Sequence, residues 1–369
     1  MRLIYFFKSC LLFLLVVLFN SGCNQDEENI TLGSGNIIKY AKNIRIAPYR
    51  KGYKVEIINP DSNKKYRYFL TSSEDESLQG YQSIVTPIKG ITVLSATHVG
   101  MLSKIDAIDK IKGFTDIKYV YNAELKNQIQ NGTTVTFGDE QTISPESIIK
   151  SNSKLVIHSG MKPDFTQEEL LQKINIYCIP NFEWKESHPL GKAEWVKFFG
   201  ILFQKESVAN HYFTAVENAY LKLKNQASKY ATKPSIFAGN IFGDYWYAPA
   251  GGSFQAQFYK DASANYVYSD SEGVGSLALT LEEIIARNRN TEIWLDPGQS
   301  SMNKILNCHP ALSKLKAFET KNLFDYSHDM NKYWELSASE PHKVLSDLIQ
   351  IFHVRPIDSN QLYFYKKLD

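Results

Sequence analysis

The chain is 369 residues long, with 43% hydrophobic, 22% charged and 13% aromatic residues, enough to bury a large core over about two domains of ~100–200 residues each. That composition excludes a disordered, collagen-like or small disulfide-dense chain. Lys and Arg number 41 against 39 Asp and Glu, a near balance that gives no electrostatic reason to hold nucleic acid, and no nucleic-acid partner is expected.

Residues 1–22 run from Arg2 and Lys8 through the apolar stretch Leu11 to Phe19 to the small pair Ser21-Gly22. This is the order of a secretory signal: charged region, apolar region, cleavage site. The apolar run is too short for a comfortable membrane span. Ser21-Gly22-Cys23 resembles the lipobox of bacterial lipoproteins, with Asn20 standing where an aliphatic residue is usual. The resemblance makes Cys23 the lipidated first residue of the mature protein. Residues 23–29, with the acidic run Asp26-Glu27-Glu28, then read as a solvated tether that holds a soluble body at a membrane. Cleavage before Cys23 also removes Arg2, Lys8 and Cys10 and balances the charges. Cys178 and Cys308 remain, far apart and without CxxC spacing, and read as small buried residues rather than ligands or a disulfide framework.

Residues 30–88 alternate apolar and polar positions, as in Tyr53-Lys54-Val55-Glu56-Ile57 and Tyr66-Arg67-Tyr68-Phe69-Leu70 on either side of Asn59-Pro60-Asp61. That predicts a β-hairpin segment. From Ile91 the grammar changes. Ile91 to Ser95, Val135, Lys154 to Ile157 and Ile176 to Ile179 read as strands between helical stretches such as Val99 to Ile108, giving a first lobe over 89–205. The pattern restarts over 233–369 with Ser235 to Ala238, Tyr266 to Tyr268, Glu292 to Leu295 and Leu323 to Asp325 as strands, and Leu279 to Arg287 as a helix. Strand-helix alternation of this kind predicts an α/β fold of two Rossmann-like lobes, each a sheet with helices on both faces. Between the lobes, residues 206–232 place Val208, Tyr212, Phe213, Val216, Tyr220 and Leu223 at helical spacing without a Gly or Pro before Pro234. One long helix is predicted to join the lobes and to limit their motion to a small rocking.

Three stretches carry a resemblance to the substrate-binding proteins of ABC importers, in the class with a single connecting helix that serves iron-siderophores, haem and corrinoids. They are Val93 to Leu102 with Ile111 to Phe114, Ser144 to Ile149 leading to Lys154 to Ile157, and His188-Pro189-Leu190-Gly191-Lys192-Ala193-Glu194-Trp195 with Phe198-Phe199-Gly200. In the second, Ser153-Lys154 replaces the Pro-Asp pair often found there. The third resembles the lipoprotein branch of the family in particular, and the likeness spans about residues 84–369. It implies a monomeric, lipid-anchored binding protein of the cell envelope that has no intrinsic cofactor, captures a metal chelate or tetrapyrrole-like ligand, and passes it to an ABC importer permease.

Flat or macrocyclic ligands want aromatic walls and a few placed polar groups. Tyr245, Trp246 and Tyr247 sit in a stretch, Asp244 to Ser253, whose Gly and Pro content reads as a loop; they either stack on the ligand or pack in the lobe core. Trp184 and His188, with Tyr333 and Trp334, are the next candidates, and His98 is a further polar contact; each histidine reads alternatively, and with the greater weight, as a local hydrogen-bonding residue. The resemblance also implies docking carboxylates, for which Glu282 fits the second lobe and Glu168 or Glu169 the first. A carboxylate in a first helical turn is favoured by the helix dipole in any case.

The eight histidines show no HxH or HExxH pairing, and the chain has no GxSxG, GxxxxGK[ST] or GxGxxG motif. No nucleophile, base or metal site is assignable, Asp296-Pro297-Gly298 reads as a turn, and binding without chemistry is the expectation. Its rivals are a surface lipoprotein that scavenges such a ligand without an importer, an envelope enzyme that modifies the chelate, and capture of bare Zn²⁺ or Mn²⁺.

Overall fold

The computed structural model describes residues 35–138, 143–161, 165 and 167–369. The signal, Cys23 and the tether therefore lie outside the described residues. The first sheet is an antiparallel meander of Ile44–Tyr49, Gly52–Ile58 and Lys65–Thr71, to which Gln82–Val85 adds in parallel. Asn59 makes the predicted turn by accepting the N–H of Asp61 at 2.9 Å, the side-chain mimicry that favours Asn in turns. The segment is thus larger than a hairpin, and it is not free-standing. Ile44, Ile46, Val55 and Ile57 are fully buried in one core with the first lobe, and the Tyr68 hydroxyl donates to the Cys178 carbonyl at 3.3 Å.

The first lobe is a parallel sheet in the spatial order Val135–Thr136, Ile111–Phe114, Ile91–Val93, Leu155–His158, Tyr177–Pro180. The second runs Asn265–Tyr266, Ser235–Ala238, Ile293–Leu295, Leu323–Asp325, with Lys366–Lys367 antiparallel at its edge. Ile91–Val93, Leu155–His158, Ile293–Leu295 and Leu323–Asp325 are buried at every position, as strands covered on both faces must be. In each lobe the earliest strand lies inside the sheet and the later strands add to either side. Each sheet therefore has a switch point, between Ile91–Val93 and Leu155–His158 in one lobe and between Ser235–Ala238 and Ile293–Leu295 in the other, where open α/β sheets leave a crevice.

The connecting helix is Glu206–Ala227, 22 residues, or roughly 33 Å at ~1.5 Å per residue. It ends at Ala227, short of the expected 232, where the N–H groups of Ser228 and Lys229 close the last turn onto the Lys224 and Gln226 carbonyls at 3.0 and 3.2 Å. Ala209, Phe213, Val216, Tyr220 and Ala227 form its buried stripe. The Tyr212 hydroxyl donates to the Ser339 carbonyl at 2.9 Å and Tyr220 donates to Asp261 at 2.8 Å, so the rod is fixed to the second lobe along its length.

A second bridge joins the lobes without covalent continuity. Helix Met330–Leu336 of the second lobe lies on helix Ala96–Ser103 of the first so closely that a Cβ on Gly100 would stand 1.8 Å from the Glu335 carbonyl oxygen. From there the buried Glu335 side chain accepts the main-chain N–H groups of Tyr121 at 2.8 Å and Asn122 at 3.1 Å. Lys104 and Glu340 pair across the same seam at 3.0 Å. A Gly100→Ala variant must push two backbones apart, and it is expected to lose about 1–3 kcal/mol of stability, read as a lower urea midpoint.

Candidate functional site

A cavity of about 310 Å³ lies between the lobes. Its first-lobe wall includes Ser95, Ser159 and Glu183, and its second-lobe wall Gly239, Asp296 and Tyr326. Each of these follows a parallel strand by one to three residues, so both sheets aim their carboxyl ends, switch points included, at one space. A second chamber of about 390 Å³ shares Ser95 and Trp334 with the first and extends past Lys118 and Tyr119.

The walls are aromatic. Trp184 is fixed by its indole N–H, which donates to the Ser159 carbonyl at 2.7 Å, and its ring remains partly exposed to the cavity. Opposite, Tyr326 stacks on Tyr333 with centroids 3.7 Å apart and planes 4° from parallel, and Trp334 stands edge-on to both. Tyr247 and Phe254 complete this lining.

The floor is polar and mostly carboxyl. Glu183 is 1% exposed; its Oε1 accepts the Thr97 hydroxyl at 2.7 Å, and its Oε2 lies 3.7 Å from Lys192 Nζ. Lys192 in turn sits 3.8 Å above the Phe254 ring. Across the cavity Asp296 takes a left-handed backbone with φ of 58°, and its Oδ1 is buried without a hydrogen-bond partner. Burial pushes the Asp296 carboxyl well above the usual carboxylate range and the nearby Asp325 carboxylate adds to the rise, while the hydroxyls of Tyr365 and Tyr259 act against it.

Residues 91–330 match the sequence profile of the family described as periplasmic binding proteins. The chain belongs to the periplasmic binding protein family. It is 25% identical over 375 aligned positions to an uncharacterized lipoprotein of Methanocaldococcus jannaschii, covering 92% of this chain and 86% of that one. The fold is also similar to that of a periplasmic heme binding protein of Vibrio cholerae, with a TM-score of 0.57, 13% identity and coverage of 70% and 98% of the two chains. A periplasmic vitamin B12 binding protein of the same organism gives a TM-score of 0.53, 12% identity and coverage of 72% and 96%.

Of the aromatic residues singled out in the sequence of this periplasmic binding protein, Trp184, Tyr247, Tyr333 and Trp334 line the cavity, and Trp246 does not. The supposed loop Asp244 to Ser253 holds instead the central strand, Tyr245–Pro249, of a three-stranded antiparallel sheet with Asn240–Phe242 and Ser276–Leu279. Side chains on a strand alternate, so Tyr245 and Tyr247 point out while Trp246 enters the core, 1% exposed and 5.3 Å from Trp294. Tyr245 is half exposed but lies outside the cavity lining.

Both histidines are structural. His188 caps helix Pro189–Glu194, its Nδ1 accepting the Leu190 N–H at 3.1 Å. His98 is buried against Phe199 with an unpartnered Nδ1, and burial, with the nearby His158, lowers its pKa to about 3. Cys178 is buried and its thiol is pushed up to about 12 by burial. Cys308, expected inside, is exposed at the end of helix Met302–Cys308. Glu169 and Glu282 are exposed in first helical turns, and Glu168 accepts from Gln172 at 2.9 Å. It is Glu283 that completes the capping box with Thr280, so capping does not account for Glu282. Among the described residues no three His, Cys, Asp or Glu side chains converge on a metal position.

Sequence reading missed Glu183, Lys192 and Asp296 as a set; their signal was position just beyond strand ends for Glu183 and Asp296. Lys192 comes from the motif His188 to Trp195, which the structure explains almost residue by residue. Glu194, fully buried, accepts the N–H groups of Lys39, Tyr40 and Ala41 and pairs with Lys197 at 2.8 Å. Glu186 accepts those of Lys42 and Asn43 and the Trp195 indole. A strap over 35–43 is thereby bound to the helix that carries Lys192 into the cavity.

Glu194→Ala should cost about 3–5 kcal/mol, because it strands three main-chain donors and takes the carboxylate from Lys197, and trypsin should then cut at Lys39 and Lys42. His98 gives a separate test. Its depressed pKa means that below 6.5 the unfolded chain binds the extra proton, so its contribution to stability is lost as pH falls. Between pH 6 and 4 the wild type should lose about 1.4 kcal/mol per pH unit more than His98→Leu, measured by urea denaturation.

Proposed function

We propose that this periplasmic binding protein is a lipid-anchored solute receptor that captures a metal chelate or tetrapyrrole-like molecule between its lobes and delivers it to an ABC importer. One observation supports this above the rest: the strand ends of both lobes converge on an aromatic-walled cavity, with Trp184 on one side and Tyr326, Tyr333 and Trp334 on the other. Flat rings facing each other across a cleft suit a broad, planar or macrocyclic guest. The neighbouring chamber that shares Trp334 extends the space toward the size such a guest needs. Membership of a family of binding proteins and the likeness to an archaeal lipoprotein agree with this reading. Cys23 would carry the lipid, and Glu168, Glu169 and Glu282 would face the permease.

Absorbance titration of the purified protein with ferric chelates, haemin and a corrinoid tests the capture step, since all are coloured. One class should bind with a saturating spectral change, and recovered ligand should have unchanged mass. Chemical conversion of the ligand would instead support an envelope enzyme. Trp184→Ala and Trp334→Ala should each weaken binding by about tenfold or more, about 1.4 kcal/mol, with the melting temperature little changed. Replacing Glu168, Glu169 and Glu282 together by Ala should abolish cellular uptake and leave affinity intact. Unchanged uptake would favour a scavenging lipoprotein without an importer.

A further inference from the structure

The polar groups of the cavity are unevenly spent. Its donors nearest the floor are already engaged: Thr97 donates to Glu183 at 2.7 Å, the Trp184 indole to the Ser159 carbonyl at 2.7 Å, and Asn240 Nδ2 to the Asp296 carbonyl at 3.3 Å. The cations are engaged as well. Lys192 lies between the Glu183 carboxylate and the Phe254 face, and Lys118, at the second chamber, pairs with Asp116 at 3.1 Å. Among the described residues that line the two chambers there is no arginine and no histidine.

Among the described lining residues, the buried side-chain atoms left unpaired are acceptors. Glu183 Oε2, on the first lobe, has Lys192 Nζ as an ion-pair neighbour at 3.7 Å, beyond hydrogen-bond distance; it and Asp296 Oδ1, on the second lobe, are both buried without a hydrogen-bond partner, and both residues line the cavity. A buried polar atom left unpaired is destabilising, a cost that an N–H brought by a guest would remove. A carboxylate or catecholate at the same place would instead set its own acceptors against these, and among the described lining residues no unpaired cation would offset them, a mismatch that disfavours it.

Resting on the solute-binding reading above, we infer that the ligand is a neutral or cationic molecule edged with N–H donors, amide or ammonium, that bridges Glu183 and Asp296, and that anionic chelates are rejected. Because these two residues sit on opposite lobes, a single donor-bearing edge would also tie the halves together.

Four coloured probes test this by quenching of tryptophan fluorescence: cobinamide, which is cationic and carries amides; ferrioxamine B, which carries an ammonium; haemin, with two carboxylates; and a ferric tris-catecholate. On the unmodified protein, cobinamide or ferrioxamine B should bind at least about 100-fold more tightly than either anionic probe. Glu183→Gln with Asp296→Asn should lower the affinity for the favoured probe at least tenfold and narrow its lead over the anions; Asn tolerates the left-handed backbone at 296. Haemin or the catecholate binding as tightly as the cations, or tighter, would overturn the charge assignment and leave solute capture standing. Binding of none of the four would overturn solute capture itself and the assignment with it. The selectivity ratio is read without mutation, so it decides the matter even if the double variant is unstable.

Discussion

Everything that the cavity can do depends on holding two sheets face to face, and the group that does this away from the covalent link is the Glu335 carboxylate. It stands on a helix of the second lobe, is buried, and accepts two main-chain N–H groups of the first. Burial raises its pKa while those two N–H groups, with Lys104 and Lys126 nearby, pull it down. A carboxylate that satisfies several backbone donors at once fixes a loop more tightly than any one side-chain pair, because the donors it serves cannot rotate away.

The same device recurs elsewhere in the chain. Glu194 and Glu186 hold the strap over 35–43 in this way. Asp347, on the long helix Pro341–His353, accepts the N–H groups of Tyr363, Phe364 and Tyr365 and so fixes the C-terminal segment, which includes Tyr365 beside Asp296. Irregular segments carry backbone donors that a lobe interior would otherwise leave unpaired. Here four acidic side chains supply the missing acceptors, and the segments can be packed against the lobes without joining their sheets.

The lobes and the rod were legible in the sequence because their signals are local. Short apolar runs recur between helical stretches, and 206–227 keeps a helical apolar spacing without a Gly or Pro. The strand Tyr245–Pro249 was not legible, because a Tyr-Trp-Tyr run flanked by Gly and Pro has no apolar alternation to count; its alternation is of ring position rather than polarity. Choosing Trp246 over its neighbours required knowing which face of that strand met Trp294. The floor was hidden for a different reason. Glu183, Lys192 and Asp296 are far apart in sequence, and each has an ordinary local explanation, so only the convergence of strand ends makes them a set. His98 and His188 stayed open for the converse reason: a histidine at a helix start looks alike whether it caps the helix, fills the core or meets a guest.

The close seating of Gly100 on Glu335 has one further effect. Backbones in contact, with a rod of 22 residues beside them, leave little slack for the halves to swing, so on the proposed reading capture would cost little in rearrangement. If the protein captures a solute as proposed, its filled and empty forms would differ mainly at the mouth, and a partner that collects the cargo would have to sense occupancy there rather than a change of overall outline.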